Sequence, residues 1–158
     1  MSTYMHDTLA VGGVVQLSPP FGPFNLQSGG DNEKKAVLIS AGIGRTPMKS
    51  FLDALTQAGV STTKTVHVDK NQASVPFYDH FESVNAGNNQ YYFTQNGGRP
   101  STEDIAKSLV EETGADCMYY ICGPTSFMQG MAHALVASGV QRGDLKWEAF
   151  SPQLSCPV

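Results

Sequence analysis

From residue 35 onward the apolar positions alternate between two periods. Ala36-Val-Leu-Ile-Ser is a short continuous apolar run, which predicts a strand buried on both faces. Over Pro47–Ala58, Met48, Phe51, Leu52 and Leu55 fall at helical spacing, with Pro47 suited to a first turn and Gly59 to a stop. Thr63–Val68 follows as a β-branched strand, Pro76–Val84 as a short helix with Phe77 and Phe81 on one face, and Gln90–Thr94 as an aromatic strand. Thr102 opens a helix to Glu112, with Glu103 and Asp104 at its positive end. Cys117–Cys122 is another apolar strand, Pro124–Ser138 a helix on Phe127, Met128, Met131 and Leu135, and Asp144–Phe150 a last strand. Strands alternating with helices predict an α/β fold, a doubly wound five-stranded parallel sheet in the order 3-2-1-4-5. A ligand crevice is expected beyond the carboxyl ends of the strands, where the strand order reverses.

Residues 1–30 carry no such rhythm. Val11–Pro20 ends in a Pro-Pro breaker, Phe21–Leu26 reads as a short strand, and Ser28–Asn32 reads as a linker. Two extended stretches cannot build a core of their own. The chain therefore divides near residue 30, with the regular part at 31–158. Val14, Val15, Leu17, Phe21 and Phe24 are expected to stay poorly covered.

Composition narrows the partners. The chain has 158 residues, a net charge of −4, and no basic cluster longer than Lys34-Lys35. Neither nucleic acid nor an anionic membrane is an expected partner. No apolar run approaches the length of about 18 residues that a membrane span needs, and the first residues lack the basic and apolar parts of a signal peptide. The three cysteines show no CxxC spacing and the four histidines no ligand spacing, so neither a disulfide framework nor a metal site is expected. A reducing compartment, the cytoplasm, fits best.

The chemistry concentrates at two strand ends. Ser40-Ala-Gly-Ile-Gly-Arg-Thr-Pro-Met lies between the first strand and the first helix. Gly42 and Gly44 allow positive φ and close backbone approach, and the N–H groups and dipole of the following helix favour a phosphate. Arg45 can add charge. Thr46 can cap the helix or donate to a phosphate. Pro47 stands where a full G-x-G-x-x-G would carry its third glycine. A turn required only by chain geometry is the competing reading. Cys122-Gly123-Pro124-Thr forms the second junction, after the fourth strand, so both turns should line one crevice. Cys122 should face it, more as a small soft residue beside a planar ring than as a nucleophile.

Val37–Met48 resembles the pyridine-nucleotide loop of the ferredoxin–NADP reductase superfamily, and Tyr120–Met128 resembles its CGP-x-x-(F)M motif. Lys146-Trp-Glu-Ala-Phe-Ser-Pro is similar to the tail of flavohaemoglobins, the nitric oxide dioxygenases, and residues 2–24 look like the end of their FAD domain. The resemblance implies that Gly42, Ile43, Gly44, Arg45, Thr46 and Pro47 hold the pyrophosphate of NAD(P)H. It puts Thr46, Cys122, Gly123 and Pro124 near the nicotinamide. Glu148 and Phe150 would lie against a flavin, with Ser151 and Pro152 completing that contact, and Glu148 and Cys122 would be the catalytic pair. For Glu148 the alternative is an exposed strand residue.

Asp69 would face the adenosine ribose, accepting from a 2′-OH and repelling a 2′-phosphate; an ordinary solvated loop end is the alternative. The balance leans to NADH, with Lys70 and Arg99 keeping NADPH open. Residues 1–30 would be the remnant of an FAD-binding barrel. The implied function is the NAD(P)H-binding module of a flavohaemoglobin-like reductase, passing hydride to FAD and working with a flavin- or haem-bearing partner or with upstream domains. The alternative is a stand-alone nucleotide-binding module, or a fragment without catalysis of its own. Several features depart from the family. The flavin-binding R-x-Y-S strand is missing, and Ala41 stands where many members have glycine. Arg45 stands in place of an apolar or amide residue, and Ser151 replaces the tail glycine.

Overall fold

The computed structural model describes residues 2–19, 21–26, 35–59 and 64–149. Five strands, β1 (Lys35–Ala41), β2 (Lys64–Asp69), β3 (Asn89–Phe93), β4 (Cys117–Cys122) and β5 (Leu145–Glu148), form one parallel sheet in the order β3-β2-β1-β4-β5. This is the expected doubly wound topology. Alternate residues of the central strands feed two cores. A single helical turn, α4 (Thr94–Gly97), follows β3, and Val37, Ile39, Val66 and Ile121 pack with α5 (Thr102–Thr113) and α6 (Thr125–Ala137) on one face. Ala36, Leu38 and Tyr120 pack with α2 (Arg45–Gln57) and α3 (Tyr78–Val84) on the other. Six of the seven β1 residues are buried, because a parallel central strand has no solvent face.

Three local expectations fail. Residues Ser2–Asp7 form a short helix, α1, although the composition there carries few helical signals. Residues 21–26 form bends, not a strand, since no sheet edge lies beside them to supply hydrogen bonds. Helix α3 begins at Tyr78 instead of Pro76, because Phe77 takes the left-handed conformation (φ 57°) and breaks the run. Phe77 is consequently exposed while Phe81 is fully buried.

The amino-terminal segment is mostly uncovered, as its composition suggests: Val11, Val14, Leu17 and Phe21 are all exposed. Phe24 is different. Its ring lies 5.0 Å from that of Phe51 and 6.1 Å from that of Tyr120, and with Leu26 it closes the α2 face of the sheet. Replacing Phe24 with alanine should cost about 2 kcal/mol, roughly half of a fully buried aromatic truncation. Urea unfolding monitored by circular dichroism measures it, and an unchanged midpoint would show that the segment does not dock.

Candidate functional site

Strand β1 runs without a break into a tight turn, Gly42–Gly44, and then into the 13-residue helix α2. Gly42 has φ +52°, and a Cβ built there would meet no atom within 4 Å. The main chain is therefore open to an approaching group at this point. Gly44 is needed for a different reason from the one its spacing suggests. Its φ is −59°, an ordinary value for any residue. A Cβ on Gly44 would instead stand 2.2 Å from the Cys122 carbonyl oxygen and 2.8 Å from the Gly123 nitrogen. The turn after β1 is pressed against the exit of β4, so the two glycine junctions are in direct contact. Gly123 is itself packed against Ala41 and Phe127, and Pro124 starts α6 with an extended backbone and is exposed.

No side chain caps the amino terminus of α2. Thr46 turns its hydroxyl back to the Ile43 carbonyl, 2.9 Å away, which secures the turn; the Arg45 N–H is bonded to the Gly42 and Ile43 carbonyls, and Pro47 has no N–H to give. Ile43 is exposed and Pro47 half-buried beside it. An uncapped helix terminus with an open glycine in front of it fits a dinucleotide pyrophosphate.

Arg45 does not belong to this cradle. Its side chain is fully buried, with the guanidinium carbon 3.6 Å from the centre of the Phe81 ring and Nη2 donating to the Tyr91 hydroxyl at 2.9 Å. Burial pulls it below its ordinary pKa, opposed by Tyr91, Glu82 and Asp69. Its Nε has no hydrogen-bond partner among the described residues. A cation at this position works inward, tying the start of α2 to α3 and β3.

Cys122, expected to face a crevice as a small soft residue more than as a nucleophile, is enclosed. The residue is fully buried, and its thiol donates to the Glu148 carbonyl at 3.4 Å. Burial, helped by the Glu148 charge, pushes it up to about 12. A thiol held neutral and out of contact with solvent is no nucleophile; it is the packing between β4 and β5, where Cys122 and Glu148 are register partners. Glu148 itself is half-buried at the carboxyl end of β5. Phe150, Ser151 and Pro152 lie outside the described residues.

Asp69 ends β2 and is more enclosed than a solvated loop residue, its side chain only 10% exposed. Oδ1 accepts from the Lys70 N–H at 2.7 Å and lies 2.7 Å from the Ser74 hydroxyl. Oδ2 lies 3.2 Å from His67 Nε2. Burial pushes this carboxyl up, but the bonds from Ser74, Lys70 and His67 together hold it below the ordinary carboxylate range. Behind it, His67 Nδ1 is 2.8 Å from the hydroxyl of Ser40, its register partner on β1. Ser40, His67 and Ser74 were invisible as a group in the sequence. The strand register brings the first two together, and only the carboxyl-end position of both strands could have hinted at it.

The fold and the paired junctions define a nucleotide-binding domain of the kind found in pyridine-nucleotide reductases. The chain belongs to the oxidoreductase NAD-binding domain family, which its residues 38–133 match. It is 33% identical over 167 aligned positions to a flavohemoprotein of Pseudomonas putida, covering 96% of this chain and 40% of that one. It is 28% identical to flavohemoprotein A of Dictyostelium discoideum, covering 96% and 39%. The flavohem-like FAD/NAD-binding domain of the nitric oxide dioxygenase of Vibrio cholerae superimposes with a TM-score of 0.72 at 25% identity, over 96% of this chain and 64% of that one. The chain thus spans about two fifths of the length of these flavohemoproteins. Among the described residues, no helix is long and apolar enough to cross a membrane.

Proposed function

We propose that this chain binds NADH as the reductase module of a flavohaemoglobin-like oxidoreductase and presents its nicotinamide to FAD. The observation that carries the reading is the uncapped start of α2 behind the open Gly42, pressed against the Gly123 junction. In this reading the Gly42–Pro47 main chain holds the pyrophosphate and Thr46 keeps the turn in shape. Gly123 and Pro124 shape the nicotinamide end, and Asp69 takes the adenosine ribose. Arg45 contributes from below, as a brace. FAD, when bound, supplies the hydride acceptor; Glu148 and the tail from Phe150 to Pro152 would lie on that side. The uncovered apolar residues of the segment 2–26 suit a flavin domain or a separate flavin- or haem-bearing protein. Cys117 and Cys122, both free and buried, agree with a reducing compartment, the cytoplasm.

The test uses Gly42, whose open surroundings make it separable from the fold. Asparagine tolerates the left-handed backbone, so Gly42→Asn should melt close to the parent chain. Its side chain would stand in the pyrophosphate position and should lower NADH affinity about tenfold, through lost main-chain contacts with the phosphates. NADH fluorescence titration measures this. A parent chain that leaves NADH unbound at millimolar concentration, or equal affinity in the folded variant, would remove the site from this turn.

A further inference from the structure

The hydrogen bonds behind Asp69 form a chain with only one self-consistent direction. Asp69, held as a carboxylate, can only accept, so His67 Nε2 must carry a hydrogen towards Oδ2. His67 is fully buried beside the Arg45 cation and stays neutral, with one ring hydrogen. Nδ1 is therefore an acceptor, and the Ser40 hydroxyl at 2.8 Å must donate to it. Ser40 lies two residues before Gly42, on the strand that carries the phosphate turn. The relay thus runs from the base of that turn, across β1 and β2, to the carboxylate at the end of β2.

The acceptor capacity of Asp69 is divided unevenly. Oδ1 faces two partners, the Lys70 N–H and the Ser74 hydroxyl. Among the described residues Oδ2 meets only His67, at a long 3.2 Å. A carboxylate oxygen has room for a second donor, so Oδ2 has capacity for one hydroxyl. It offers nothing to a phosphate, whose charge it repels.

We propose that His67 is a positioning residue that, through Asp69, sets the site's preference for a dinucleotide with a free ribose 2′-hydroxyl over its 2′-phosphate. The proposal rests on the functional reading above and adds the residue that aims the discriminating carboxylate. Without the Nε2–H bond, Oδ2 is free to rotate about χ2 or to take water, and the hydroxyl would have to order it on binding.

The experiment is the ratio of NADPH to NADH dissociation constants, titrated on the full chain and on three His67 variants. His67→Leu fills the buried slot without a donor. His67→Asn keeps a partner for Ser40 but is too short to reach Asp69. His67→Gln is long enough to restore a donor at the Nε2 position. The ratio should fall about tenfold in the leucine and asparagine variants, mainly through weaker NADH binding, and recover in the glutamine variant. Circular dichroism confirms folding, and the asparagine variant carries the test if leucine does not fold. A purely structural role would weaken both nucleotides equally and leave the ratio unmoved. An unmoved ratio in a folded variant, or a glutamine variant no better than asparagine, overturns the proposal alone. A parent chain that binds neither nucleotide overturns the functional reading, and the proposal with it.

Discussion

Gly44→Ala should cost about 3 kcal/mol, the upper end of ordinary overpacking, and Gly44→Val more. The added Cβ would lie 2.2 Å from the Cys122 oxygen and 2.5 Å from its carbonyl carbon. Both are main-chain atoms of a central strand, held in register with β1 and β5, so no side chain can swing aside. The turn or the β4 exit has to move by about an ångström, and either movement disturbs a close-packed core. Backbone conformation adds nothing to the cost, since φ at Gly44 is −59°. A domain of this size has roughly 5–15 kcal/mol in all, so the valine variant should be largely unfolded at 37 °C. Guanidinium unfolding of the alanine variant measures the effect; a midpoint equal to the parent would mean that the two junctions are not in contact. Lost nucleotide binding in a Gly44 variant is consequently no sign of a phosphate contact, whereas loss in Gly42→Asn is.

The contrast between these two glycines shows where sequence patterns stop. Hydrophobic period alone separates strands from helices here, because strands such as β1 and β4 are buried on both faces and α2 and α6 carry apolar stripes. The strand order follows from alternation and crossover handedness. The G-x-G spacing marks the turn correctly, yet it assigns both glycines the same job. Gly42 alone has positive φ, and Gly44 serves a contact with a strand some 80 positions away, as the Cys122 distances show.

Arg45 is a harder case. A cation beside a glycine turn reads as a phosphate ligand from its neighbours along the chain. Its actual partners, Phe81, Glu82 and Tyr91, come from α3 and β3. The family resemblance carried a warning, since an apolar or amide residue is usual at that position. An inward-facing side chain accounts for that usage, and the packing of Arg45 over the Phe81 ring follows the same inward path. The Ser40–His67–Asp69 relay was equally hidden, because a lone histidine in a β-branched strand acquires meaning only when the register of β1 and β2 is known.

Acid should weaken this chain through His67. Burial first, and the Arg45 cation second, push the imidazole from its usual value down to about 4, against the pull of Asp69. In the unfolded chain the same ring titrates near 6.5. Between these values the unfolded state takes up a proton that the native state refuses, so the unfolded state gains. Stability is therefore fully present above about pH 6.5, falls as pH drops through the window, and has lost the whole contribution near pH 4. The gap between the two values corresponds to about 3 kcal/mol. Arg45 and Asp69 are the charged groups acting on the ring, and Ser40 is its neutral partner on the other side. Protonation at Nδ1 would place a second hydrogen against the Ser40 hydroxyl, which must then turn away, with the Val66 carbonyl 3.4 Å off as its alternative acceptor. Asp69, whose folded value is lowered, adds a further loss in the same direction once pH falls below the ordinary carboxylate range. Urea unfolding at half-unit steps from pH 7.5 to 4 should show the decline in the parent chain. In His67→Gln, which cannot titrate, the slope over this window should shrink by the histidine's share. Equal slopes in parent and variant would mean that His67 takes up its proton in the folded chain as readily as in the unfolded one, and that the buried relay is not as tightly closed as its distances require.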